Sequence, residues 1–218
     1  MADTAFFAFA QFMKKYLESA AYHEAGHMTA AVVQGMPVDA RGLQIDMQGH
    51  GIAHYWMREP GDAVNNSSQD QRERKLSVIS LYAAWIAQQK FFPDCPTDGR
   101  RLDDDKADRL LMEINPGGGA ELAKTREDLL QRTERLVIKY FPVIEGLART
   151  LLARPDTLFP PEVLNVACVW AAASQGKSMN GNEVVEFFQR QGIPAFLRDS
   201  NSGTYYPTGD RPIYDSLA

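Results

Sequence analysis

The sequence predicts a mainly α protein, a helical bundle with a small β-hairpin or sheet set beside one of its helices, and three observations carry that reading. Apolar residues recur at three- and four-residue spacing along most of the chain, which gathers them on one face of each helix. A single stretch, from Leu43 to Met57, changes to the alternation expected of strands. Gly35 with Pro37, and the run Pro116-Gly117-Gly118-Gly119, punctuate the periodic segments where helices must stop.

Taken in order, Phe6, Phe9, Phe12 or Met13, Tyr16, Leu17, Ala20 and Ala21 predict a first amphipathic helix. A second should carry His23 to about Gln34, with Gly35 suited to the left-handed cap position. Leu43, Ile45 and Met47 then alternate with polar residues, Gln48-Gly49-His50-Gly51 turns, and Ile52 to Met57 returns as the second strand of a hairpin. Glu59 to Gln69 is rich in Pro, Gly, Asn and Ser and predicts an exposed loop. Leu76, Ile79, Ser80, Ala83, Ala84, Ile86 and Ala87 predict a long helix, small and apolar enough to sit at the centre of the bundle. Leu102 to Ile114 resumes helical spacing, and further helices are expected over Glu121 to Tyr140, Val143 to Ala153 and Val163 to Ser174. From Asp199 periodicity is lost, so the chain divides into one domain over 1–198 and an extended tail over 199–218.

Composition narrows the functional classes. With 44% apolar and 23% charged residues in 218, the chain has the balance of a folded globular protein. Its formal net charge of −5 and the lack of a basic block argue against a nucleic-acid partner. Cys95 and Cys168 form no metal-like pair and no disulfide framework is needed at this size, which suits a reducing, cytoplasmic setting. The apolar opening Ala5 to Ala10 follows Asp3 and precedes Lys14 and Lys15, the reverse of a secretory signal. No stretch approaches the roughly 20 apolar residues of a membrane span.

The chemistry concentrates in His23-Glu24-Ala25-Gly26-His27, an H-E-x-x-H pattern on a predicted helix. Four residues make about one helical turn, so both imidazoles leave the same face and can meet one Zn²⁺. Glu24, one residue on from the first imidazole, is placed to act as general base on a water without being a ligand. A chain with 4 His in 218 residues would contain only about 0.004 such patterns by composition alone. Ala25, Gly26, Ala30 and Ala31 keep the helix slim enough for other elements to approach it.

Catalytic zinc commonly takes a third protein ligand. The H-E-x-x-H-x-x-G-x-x-H pattern is excluded, because Ala30 and Val33 occupy the required Gly and His positions. His50 and His54 fall in the hairpin, an ordinary place for histidine. Glu73 and the run Asp103-Asp104-Asp105 remain. Counted from Asp103, the residues at +4, +7, +8 and +11 are Ala107, Leu110, Leu111 and Ile114, so Asp103 shares the inward stripe and Asp104 is the alternative. A bound metal would remove the cost of burying that carboxylate.

These residues resemble the peptidase domain of the FtsH-type membrane-anchored, ATP-dependent zinc proteases. Ala21-Tyr22-His23-Glu24-Ala25-Gly26-His27 is similar to that family's zinc helix nearly residue for residue. Leu43 to Tyr55 sits where the family has its active-site strands, Ser80 to Gln88 is similar to the small-residue helix that follows, and the acidic run lies where the family supplies an aspartate. The resemblance covers residues 20 to about 190 and implies a zinc metallopeptidase fold with Asp103 as third ligand. Gly176-Lys177-Ser178 is the nearest approach to a phosphate loop, but Ala171 stands where Gly is needed, so no ATPase module is expected. The expectation is a free-standing relative, without membrane anchor, that hydrolyses peptides or unfolded segments. A metal-bearing peptide-binding or adaptor protein is the alternative, and a homo-oligomer is left open. Gly51, Ile52, Ala53, His54 and Tyr55 are expected to form an edge strand that binds substrate by strand addition.

Overall fold

The computed structural model describes residues 2–63, 67–94, 100–159 and 174–198. Among these, five helices surround a core and one four-stranded antiparallel sheet lies against them, in the order α1 (Ala2–Val33), β1 (Val38–Asp46), β2 (Gly51–Tyr55), α2 (Ser68–Phe91), α3 (Arg100–Ile114), α4 (Gly119–Leu152), β3 (Thr157–Phe159), β4 (Ser174–Met179) and α5 (Gly181–Arg190). None of the described helices is long and apolar enough to cross a membrane.

The two helices expected before Gly35 are one. No Pro or Gly interrupts Ala20-Ala21-Tyr22, so the hydrogen-bond ladder runs straight into the His23 turn. The helix stops where Gly35 takes φ 79°, and its amide and that of Met36 donate to the carbonyls of Val32 and Ala31. That pairing is a Schellman cap, which a residue with a Cβ would strain.

α2 packs along α1, and the small residues are what bring the two backbones together. A Cβ on Gly26 would stand 2.7 Å from the Ala83 carbonyl oxygen and 2.9 Å from the Ala84 Cα, so only glycine admits α2 at this distance. Ser67 caps α2 by accepting from the Asp70 amide at 3.1 Å.

α4 also joins two expected helices. Pro142 lies inside it, and the missing amide costs one ladder bond, about 3 kcal/mol in a helix interior. The buried stripe Leu129, Leu136, Val137, Ile144, Leu147, Ala148 and Leu151 continues unbroken across the proline, so packing against α1 and α2 overrides the local break.

The sheet runs β2-β1-β4-β3, leaving β2 at one edge. The expected hairpin is its β1–β2 half, with Leu43 paired to Ala53 and Ile45 to Gly51. The other half lay beyond the periodicity: β4 pairs Ile45 with Lys177, which puts Gly176-Lys177-Ser178 inside a strand. α5 follows at once, closed by a capping box between Asn180 and Glu183 and held by the buried Val184, Phe187 and Phe188. Of the helix expected over Val163 to Ser174, only Ser174 is described, as the first residue of β4; the rest, with the tail over 199–218, lies outside the described residues.

A candidate metal centre between three helices

His23 and His27 leave α1 on the face toward α2 and α3, one turn apart, and both are more than nine-tenths buried. Their rings stand 4.9 Å apart and nearly perpendicular. Asp103, in the first turn of α3, points into the same space: its Oδ2 is 3.0 Å from His23 Nε2 and 3.2 Å from His27 Nε2. His23, His27 and Asp103 thus offer one ligand atom each, all within 4.8 Å of one another. Asp104 points elsewhere, its Oδ2 accepting from Arg100 Nε at 2.7 Å, and Glu73 accepts from Arg58 Nε at 2.9 Å.

The outer edges of both imidazoles are fixed by α2. His27 Nδ1 donates to the Ser80 carbonyl oxygen at 2.9 Å, and a carbonyl can only accept, so the proton must sit on Nδ1. His23 Nδ1 lies 3.1 Å from Gln88 Oε1, while the amide end of Gln88 donates to Ser19 Oγ at 2.9 Å, which selects the same tautomer. Neutral rings held in this way turn their Nε2 lone pairs inward. While both rings are neutral, two lone pairs and the buried carboxylate oxygen Asp103 Oδ2 face one another with no donor between them. Three converging acceptors require a cation, either an added proton or a metal ion. Two imidazole nitrogens and one carboxylate oxygen are a donor set that suits zinc.

The electrostatics carry the same signature. Burial works to lower His23, but the hydrogen bond and charge of Asp103 outweigh it and raise the imidazole from 6.5 to about 9. Burial works to raise Asp103, but the neighbouring His27 and His23 hold its carboxyl below the usual range. Protons and metal compete for the same lone pairs here.

Glu24 is buried beside the cluster without joining it. Burial raises its carboxyl above the ordinary value, opposed by the charges of His23 and His27. The Ala53 amide of β2 donates to it. Two bonds set the orientation of that edge strand: the His50 carbonyl accepts from Asp46 N at 2.8 Å, and Trp56 N donates to the Pro37 carbonyl at 2.9 Å. Residues 50, 52, 54 and 56 therefore turn their backbone groups toward β1, and Gly51, Ala53 and Tyr55 turn theirs to the open edge.

The expected substrate strand is accordingly split. Gly51 and Ala53 touch Glu24, and the Tyr55 ring lies 6.3 Å from that of His27. Burial, then the charges of Asp103 and Glu24, hold the Tyr55 phenol well above its ordinary value. Ile52 and His54 project from the other face, by strand alternation. His54 is buried there near Asp39 and Arg41, and burial with the Arg41 charge lowers it to about 4. His50 is tied to Asp46 Oδ2 at 3.0 Å in the hairpin turn and has no part in the cluster.

Sequence reasoning passed over Ser80 and Gln88 as partners of the imidazoles. For Gln88 a signal was present, a polar side chain one residue beyond the small apolar Ala83, Ala84 and Ala87; for Ser80 there was none, because its backbone carbonyl makes the contact and its hydroxyl is engaged by Gln34 and Met36. Compared with models of known families, the chain matches none, and no curated protein matches it. The fold and site define a helical protein with an antiparallel sheet and a His-His-Asp group able to hold a metal ion.

Proposed function

We propose that the protein is a zinc-dependent endopeptidase acting on peptides or unfolded segments. The observation that carries this reading is the convergence of three acceptor atoms beside a buried carboxyl, Glu24, that is not one of them. His23, His27 and Asp103 would hold the ion, with Ser80 and Gln88 fixing the two rings. Zinc in such a set supplies Lewis acidity, acidifying a water and polarising a scissile carbonyl.

The remaining work falls to the chain. Glu24 accepts the proton of the attacking water and delivers it to the leaving amine; its raised affinity for protons suits a group that must hold one between two steps. The outward backbone of Gly51 and Tyr55 and the carbonyl of Ala53 offer an extended substrate main-chain hydrogen bonds, a mode that demands little of substrate side chains. The resemblance of the zinc helix to that of FtsH-type proteases supports the same activity, in a cytoplasmic protein.

The test is cleavage of unfolded casein by purified protein, with and without chelator, beside a Glu24→Gln variant. Chelator-sensitive cleavage that Glu24→Gln abolishes while still binding zinc supports the reading. Cleavage indifferent to chelator, or retained by Glu24→Gln, removes it.

A further inference from the structure

We propose that Gly51 is a positioning residue for Glu24: the missing side chain at this point of β2 is what lets the strand lie on the Glu24 carboxyl and hold it beside the metal ligands. A Cβ built on Gly51 would stand 2.5 Å from Glu24 Cγ, 2.8 Å from Cδ and 2.7 Å from Oε1. Carbon atoms do not approach so closely, so any side chain at this position must displace the carboxyl.

The glycine is not explained by its backbone. Gly35, Gly42 and Gly49 adopt the left-handed region, whereas Gly51 does not, and its partner in the ladder is Ile45. Glycine in a strand without a conformational need weakens it, and alanine in the same place would favour the folded chain. The space taken by Glu24 is the reason that remains.

Nor can the carboxyl easily move aside. Glu24 is 5% exposed, and the Ala53 amide, two residues along the same edge, donates to it. Gly51 therefore sets how close the strand comes, and Ala53 sets where the carboxyl points. A shift of about 1 Å at a reacting group costs on the order of 100-fold in rate.

The proposal rests on Glu24 as the general base only for its catalytic consequence; the contact itself is testable without activity. Melting midpoints would be measured in chelator for the full chain, Gly51→Ala, Glu24→Ala and the double variant. Gly51→Ala should lower the midpoint by about 2–4 °C or more in the parent and leave it unchanged or raised in the Glu24→Ala background. An equal drop in both backgrounds overturns the proposal. If Gly51→Ala fails to fold, folding of the double variant supports it and failure of both overturns it. On the zinc-loaded chain, Gly51→Ala should keep zinc affinity within about twofold and KM little changed while kcat falls about 100-fold; an unchanged kcat overturns the positioning role. If the parent cleaves nothing, the peptidase reading fails while the melting cycle still decides the Gly51–Glu24 contact.

Discussion

Two clusters of buried ionisable groups hang on α2 and α3, and they solve the same electrostatic problem in opposite ways. In one, Asp70, Glu73 and Glu113 are met by Arg74 and Arg58: Arg74 Nε donates to Asp70 Oδ2 at 3.1 Å, Arg74 Nη1 to Glu113, Arg74 Nη2 to the Asp62 carbonyl at 2.9 Å, and Arg58 Nε to Glu73 Oε2 at 2.9 Å. In the other, among the described residues, Asp103 Oδ2 faces the Nε2 edges of two imidazoles whose Nδ1 protons are committed elsewhere. The first cluster carries its own cations and ties the segment after β2 to α2 and α3. The second leaves three acceptors aimed at one point. Burial of charge alone does not distinguish a strut from a binding site; the balance of donors and acceptors does.

The largest effect that would break this contrast is on the strut. Arg74→Met leaves buried carboxylates without their guanidinium and should cost about 3–5 kcal/mol of stability, read by urea denaturation in chelator. Zinc stoichiometry per folded chain should stay unchanged, since none of the three converging atoms is touched. A variant that kept its stability would mean the cluster is solvated rather than structural.

At the other cluster Asp103→Asn should weaken zinc binding by about 100-fold or more, measured by competition with a chromophoric chelator. Above pH 9, where His23 is neutral, stability in chelator should change far less than for Arg74→Met, because an asparagine amide can donate to an inward lone pair. Equal losses of stability in the two variants would erase the distinction between them.

Proton and metal should trade places with pH. Without metal, His23 is raised from 6.5 to about 9, so its contribution to stability is complete below 6.5 and fades as pH climbs toward 9. Asp103, depressed, contributes above 3.8 and loses that contribution as pH falls through its lower folded value. With zinc the dependence between 6.5 and 9 reverses, because each ion bound must displace the His23 proton; affinity should rise about tenfold per pH unit across that window. The gap between melting temperatures in zinc and in chelator should widen accordingly, and a gap that narrows with rising pH would contradict the assignment.

The smallest effect concerns orientation. Gln88→Ala frees His23 Nδ1 and should weaken zinc binding by about tenfold without altering stoichiometry. An unchanged affinity would show that Gln88 does not hold the ring.

How much of this was legible in the sequence follows from how local each cause is. The His spacing, the inward face of Asp103 and the Gly35 cap each depend on residues within about three helical turns, and the structure has them where the sequence pattern puts them. The continuity of α1 and of α4 did not show, because both depend on packing from other elements, and at Pro142 that packing opposes the local signal. β3 and β4 were invisible for a related reason: Ser174 to Met179 has little apolar alternation and becomes a strand by pairing with β1. α5 is different. Its Asn180-Gly181-Asn182-Glu183 start and the Val184, Phe187, Phe188 spacing are a readable helix signature that the expected elements did not include. The role of Gly51 could not be read at all, since only the distance to Glu24 reveals it.

The metal assignment turns on what lies between His23, His27 and Asp103. X-ray absorption at the zinc edge, on protein purified without added metal and quantified by elemental analysis, would read that environment. The prediction is one zinc per chain with two imidazole nitrogens at about 2.0–2.1 Å, the rest of the shell oxygen and no sulfur. Protein that retains no zinc after exposure to it, or zinc bound through cysteine sulfur, would contradict the account.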